Sequence, residues 1–324
     1  MTLTSNGFRA AGAVLLVAGS LACQSRPPEP KPGAAATATA PEAAAERSAP
    51  TLAELKNATY QGVEEAGGPF TLTSGRWEGK PFVEGGASVP SVTFARDFRL
   101  AGDLDGDGRE EAVVLLAGGT GGTGEMSYLA VVGRSGAQAK NIATAPVGDR
   151  VQLRQGRLEG RRVVLEVVQG GEGDAGCCPG DLVTRSWELK AGSLEEGAPA
   201  RSGRLSVEAL AGTEWVLRAW AWDEPAPAKP EVTLKLDGNR LVGGAGCNNY
   251  FATVKGGDAP GDLRVGPAGA TRKMCPETEM AVETRFLQQL GGVRQMRFVA
   301  GQLGLSYQKG QAFGVMLFER RVAP

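Results

Sequence analysis

Residues 103–111 read DLDGDGREE, and carboxylates at alternate positions 103, 105 and 107 are followed by Glu111 at the ninth place. Alternating side chains of this kind can converge on one hard cation, and Ca2+ takes six to eight oxygen ligands in flexible geometry. The expected set is Asp103, Asp105, Asp107, the backbone carbonyl of Arg109 and the carboxylate of Glu111, with Gly108 allowing the chain to turn sharply. Acidic side chains packed this closely repel one another without a counterion. The plainer alternative is a solvated acidic turn. Position twelve is Val114, so the bidentate glutamate that closes a helix–loop–helix calcium site is missing.

Other chemistries are excluded or weakened by residue type. The chain has no histidine, which removes every histidine base, histidine-ligated metal and Ser-His-Asp triad. Residues 117–126, AGGTGGTGEM, have the glycine spacing of a phosphate loop, but Glu125 and Met126 stand where lysine and a hydroxyl residue are needed. That stretch reads as a flexible hairpin connection. Basic and acidic residues nearly balance, 35 against 36, so no nucleic-acid partner is expected.

The elements that must position these groups are mostly strands. In 324 residues there are 48 glycines and 19 prolines, with 6% aromatics, a composition that favours short strands and tight turns. Apolar runs at 70–72, 92–94, 112–116, 128–132 and 163–168 predict strands. Thr51–Ala58 has the makings of a short helix. Farther on, 213–217, 232–236, 240–242, 295–299, 303–307 and 313–318 read as strands, and Asp237-Gly238 predicts a type I′ hairpin. One longer helix is expected after Pro276: Glu277 and Glu279 suit its positive end, Met280, Val282, Phe286, Leu287 and Leu290 give an apolar face, and Gly291-Gly292 ends it. The fold class expected is α+β and β-rich, a mostly-β module at 51–190, a linker at 191–204 and an α+β domain at 205–324. Charge differs across the divide: 16 basic against 21 acidic residues in 51–203, and 14 against 12 in 205–324.

The N-terminus reads as an address. Arg9 precedes an uncharged apolar run from Ala10 to Leu21, too short to span a bilayer comfortably. Gly19-Ser20-Leu21-Ala22-Cys23 resembles a bacterial lipobox. The resemblance implies a signal peptide at 1–22, lipidation of Cys23 and attachment to a membrane, with Gln24 favouring the outer membrane facing the periplasm. Residues 23–50 are rich in proline and alanine and nearly lack large apolar side chains, so they are expected to form an extended tether.

Two further resemblances concern the folded regions. Residues 103–111 resemble the calcium loop of FG-GAP (integrin-type) repeats, in which the loop joins two strands. The C-terminal region resembles the META domain, the family of the heat-shock protein HslJ. The matching pieces are Thr213-Glu214-Trp215-Val216-Leu217, Gly243-Gly244-Ala245-Gly246-Cys247-Asn248-Asn249-Tyr250, Thr271-Arg272-Lys273-Met274-Cys275, Glu283 with Phe286 and Leu290, and the closing hairpin. The resemblance covers roughly 208–321. It implies an α+β fold, an envelope location and a link to stress tolerance, without an agreed reaction.

With Cys23 lipidated, Cys177, Cys178, Cys247 and Cys275 allow three full pairings. An exported protein favours disulfides, and pairing Cys247 with Cys275 and Cys177 with Cys178 keeps each bond inside one region. Inter-domain pairing, a thiolate metal site and a nucleophilic cysteine are the alternatives. Asn248 and Asn249 are expected to hold a turn. Arg157, Arg161 and Arg162 are expected at a solvated strand edge, and Trp215, Trp220 and Trp222 in packing, with a sugar platform as the sharper reading. The function expected is a non-enzymatic, Ca2+- and disulfide-stabilised envelope lipoprotein that binds an envelope protein or small ligand. A calcium-dependent hydrolase and a protease-inhibitor-like module are the alternatives.

Overall fold

The computed structural model describes residues 47–321. The signal segment, Cys23 and most of the tether lie outside the described residues. The first region begins with a one-turn helix, α1 (Leu52–Leu55), and a small ribbon of β1 (Thr59–Tyr60) and β2 (Phe70–Thr71). A five-stranded sheet follows in simple order: β3 (Arg76–Glu78), β4 (Ser91–Gly102), β5 (Glu111–Gly119), β6 (Met126–Ser135) and β7 (Gln138–Asp149). A second sheet holds β8 (Gln152–Glu159), β9 (Arg162–Gln169) and β10 (Asp181–Lys190), whose far edge is shared by β11 (Ser193–Glu196) and β12 (Ala200–Arg204).

Burial explains why β5 and β6 are continuous apolar runs rather than alternating ones. Successive side chains of a strand point to opposite faces. Ala112, Val114 and Leu116 of β5 enter one core with Leu55, Tyr60, Phe70 and Val92. Val113 and Leu115 enter another with Val163, Leu165 and Trp187. The segment that carries α1, β1 and β2 therefore covers one face of the sheet, and the second sheet covers the other.

The C-terminal region is one curled antiparallel sheet. It comprises β13 (Glu214–Ala221), β14 (Glu224–Pro225), β15 (Thr233–Asp237), β16 (Arg240–Gly244), β17 (Asn249–Gly256), β18 (Leu263–Ala270), β19 (Val293–Val299), β20 (Gln302–Lys309) and β21 (Ala312–Arg320). The order runs β18-β17-β16-β15-β13-β21-β20-β19. Its ends meet where Asp262 bridges Gln295 and the Met296 N–H donates to the Gly261 carbonyl at 2.8 Å. The long helix α2 (Glu277–Leu290) buries Phe286 and Leu290 in the core, with the Phe286 ring 5.1 Å from that of Tyr250. The helix stops at Gly291-Gly292 without a left-handed cap. A Cβ on Gly292 would lie 2.9 Å from the Gln308 carbonyl oxygen, so glycine is needed for close approach.

The strand-rich character expected from composition holds, and two boundaries and one turn differ. Residues 191–204, read as a linker, form β11 and β12, because short polar segments suffice at an edge where only one neighbour must be satisfied. Residues 47–50, assigned to the tether, lie on the first sheet. Arg134 Nε donates to the Ser48 carbonyl at 2.9 Å and Arg99 Nε to that of Pro50 at 2.9 Å, while Ala49 is buried. Asp237 pairs with Arg240, so the hairpin loop is Gly238-Asn239, with positive φ (57°) only at Gly238. That is the type II′ pattern rather than I′. The two folded regions also pack together along β8 and β19. The Gly301 N–H donates to the Leu153 carbonyl at 2.9 Å, and the Phe298 N–H to Gln152 Oε1 at 2.9 Å.

The start of the first region is clamped by charge. Glu54 completes a capping box with Thr51, and its carboxylate meets Arg134 Nη1 and Nη2, each at 2.8 Å. The guanidinium, and then the Thr51 donors, hold the Glu54 pKa down to about 2 against an ordinary 4.5. A depressed carboxylate contributes stability above its unfolded pKa, and that contribution is lost as pH falls toward the folded value. Glu54→Gln is therefore expected to cost about 1–2 kcal/mol at pH 7, reduced for partial exposure. Urea melts should show the gap between variant and parent closing as pH falls from 4.5 to about 2.

Candidate functional site

Strand β4 ends at Gly102 and β5 begins at Glu111, and these two residues pair directly. The acidic segment is thus the loop of a β-hairpin, as its sequence implied. Asp103 organises it: Oδ1 accepts the Gly106 N–H at 2.6 Å, and Oδ2 accepts the Gly108 N–H at 3.1 Å. Asp105 accepts the Asp107 N–H at 3.0 Å, and Asp107 the Arg109 N–H at 2.8 Å. Gly106 and Gly108 both have positive φ, 87° and 83°. A Cβ on Gly106 would also stand 2.3 Å from Arg161 Nη1.

Three carboxylates converge. Oxygens of Asp103, Asp105 and Glu111 all lie within 4.8 Å of one another. Asp107 is not in this group and stands 4.0 Å from the Arg109 guanidinium. Glu111 is 3% exposed, and its Oε2 accepts the Leu104 N–H at 2.8 Å. Burial raises the Glu111 pKa and the three aspartates raise it further, against the Leu104 hydrogen bond. A residue that sequence reasoning placed elsewhere also touches the loop. Arg161, expected only at a solvated edge, donates to the Asp105 carbonyl at 2.9 Å. The pairing follows from how the two sheets stack, which residue spacing does not encode.

A second constellation lies in the C-terminal region. Buried Asn248 spends its whole side chain. Its Oδ1 accepts Thr271 Oγ1 and the Lys273 N–H, both at 2.7 Å. Its Nδ2 donates to Glu283 Oε1 at 3.3 Å, and its own N–H reaches Glu283 Oε2 at 2.7 Å. Asn248 therefore ties the β16–β17 turn, the 271–275 segment and helix α2 into one unit. The turn-holding role expected for it stands, with Glu283 as the partner that spacing alone did not reveal. Cys247 and Cys275 lie at disulfide distance beside this clamp, and so do Cys177 and Cys178 in the β9–β10 loop. Asp174 shapes that second loop, accepting the N–H groups of Gly171 and Gly180 at 2.7 and 2.9 Å and pairing with Arg204. Of Trp215, Trp220 and Trp222, the first two are core residues, whereas Trp222 is 40% exposed.

The C-terminal region is thus a curled antiparallel sheet with one long helix, tied by the Asn248–Glu283 clamp beside a cysteine pair. Residues 208–319 match the META domain family. No curated protein matches the chain. Among solved structures, the NMR structure of the protein from Burkholderia xenovorans is 25% identical, covering 39% of this chain and 97% of that chain, with a TM-score of 0.29.

Truncating the clamp would leave Glu283, Thr271 and the Lys273 N–H short of partners in a buried site. Asn248→Ala is therefore expected to cost about 2–4 kcal/mol, read as a lower urea midpoint with the disulfides intact.

Proposed function

We propose that this protein is a non-enzymatic binding protein of the cell envelope, associated with stress tolerance and stabilised by a divalent cation at the hairpin loop 103–111. The carrying observation is the convergence of Asp103, Asp105 and Glu111 oxygens within 4.8 Å at the end of two core strands. These residues fit a hard cation: the donors are all oxygen, and hydrogen bonds to Gly106 and Gly108 already hold Asp103 in place. Asp107, which now faces Arg109, would have to turn inward to join the shell with the Arg109 carbonyl. Ca2+ is the ion of choice because carboxylate and carbonyl oxygens on a flexible loop tolerate its irregular coordination. The FG-GAP-like character of the first region belongs to this same reading.

The META domain supports an envelope-associated, stress-related role. Two cysteine pairs at bonding distance suit an oxidising compartment. In this reading Cys23 carries the lipid, and the proline- and alanine-rich stretch that follows it in the sequence links the lipid to the folded regions.

Calorimetric titration of Ca2+ into the full chain in detergent tests the loop. Saturable binding is expected with Kd on the order of 10⁻⁴ to 10⁻³ M, and about 2.7 kcal/mol of added stability at a hundredfold excess over Kd. Asp105→Asn and Glu111→Gln should each abolish it. Absence of binding at about 10 mM, well above that range, or unchanged binding in Asp105→Asn, would reduce the loop to an acidic turn.

A further inference from the structure

Where the two folded regions meet, two guanidinium groups share one indole and neither pairs with a carboxylate among the described residues. Arg96 lies in a bulge of β4 where the ladder with β5 slips between Phe94 and Arg99. Arg96 and Asp97 both have positive φ, 39° and 60°, a strained conformation outside glycine. The bulge sends Arg96 across to the C-terminal region, where its Nε donates to Gln302 Oε1 at 2.9 Å. Its Cζ stands 5.1 Å from the Trp222 ring centroid, and that of Arg297 stands 5.0 Å from the same ring. Arg297 Nε is shielded from solvent and has no hydrogen-bond partner. Most other arginines that meet a side chain in this protein have a carboxylate to answer them, as Arg134, Arg185, Arg204 and Arg285 do.

These groups line a cleft of about 500 Å³ between the regions, whose walls also carry Thr93, Ser127 and Gln152. Glu125 and Arg150 border it too, but Arg150 is engaged by Asp149 at 2.6 Å. A second hollow of about 570 Å³ shares Trp222 and Arg297 and extends the surface toward Phe313, which is 85% exposed. Arg96 and Arg297 outnumber the one unpaired carboxylate on these walls, Glu125, so the cleft still favours an anion, and their planar donors match a carboxylate. The hydroxyl and amide side chains suit a ligand bearing many hydroxyls, and Trp222, with both guanidinium groups over its ring, positions them for its acid group.

We propose that this cleft binds an acidic saccharide, its carboxylate held by Arg96 and Arg297, which Trp222 positions, and its hydroxyls meeting Thr93, Ser127 and Gln152. The site is separate from the acidic loop, so running the test in EDTA and again in Ca2+ distinguishes its failure from that of the cation reading.

The test is calorimetric titration of the full chain with a trimer of galacturonic acid, beside the neutral galactose trimer and a triglutamate peptide. The expected result is saturable binding of the uronate trimer, at least tenfold weaker binding of the neutral trimer, and no comparable binding of the peptide. Arg297→Gln and Trp222→Ala should each weaken uronate binding at least tenfold. Trp222 is half-exposed, so its variant should keep the parent melting temperature and separate lost contact from lost fold. No saturable uronate binding, equal affinity for the neutral trimer, or wild-type affinity in both variants would overturn the proposal. Tighter binding of triglutamate would overturn it in favour of an acidic peptide.

Discussion

Strand Glu111–Gly119 has no solvent face through most of its length, and the first region is built around that constraint. A sheet whose central strand is apolar on both sides must be covered twice. The segment from Ala49 to Leu72 supplies one cover and β8–β10 the other. The N-terminal cover is too short to form a layer by its own hydrogen bonds, so charged side chains of the sheet hold it down. Arg99 and Arg134 bind carbonyls of 48–50, and Glu54 returns the contact. The second cover in turn offers β8 to the C-terminal region. Double burial of one strand thus links the emerging chain, both sheets and the META domain into a continuous body.

The same strand begins with Glu111, and this gives the acidic loop its physical interest. A turn of aspartates in solvent would be free to spread and relieve its repulsion. Here Glu111 is fixed in the core wall, and Leu104, itself buried, is hydrogen-bonded to it. The loop is therefore pinned at its ends, with oxygens of Asp103 and Asp105 drawn to the buried Glu111 while Asp107 stays exposed. A cation bound there would act on the end of the central core strand and would stabilise more than the loop itself.

Much of this was legible in the sequence because the signals were local. The apolar runs in β5, β6 and β9 gave their strands, and the Pro276, Glu277, Glu279 and Gly291-Gly292 pattern marked the long helix. The Gly-Cys-Asn segment and Met274-Cys275 pointed to the META domain that residues 208–319 match. What stayed hidden depended on contacts between distant residues. The Asn248–Glu283 clamp joins positions 35 apart, and Arg161 reaches Asp105 across 56. Edge strands β11 and β12 are polar because they need satisfy only one neighbour, so their composition resembled a linker. The cleft around Trp222 arises from two regions meeting, and neither half of the chain announces it alone.

The claim that the acidic loop is a cation site built into the core strand is tested most directly by amide hydrogen exchange across residues 104–116, with and without Ca2+ at about 10 mM. The loop amides bonded to carboxylates, Leu104, Gly106 and Gly108, should slow on adding the ion, and the protection should run on into the first residues of β5. Unchanged exchange at those amides would contradict it.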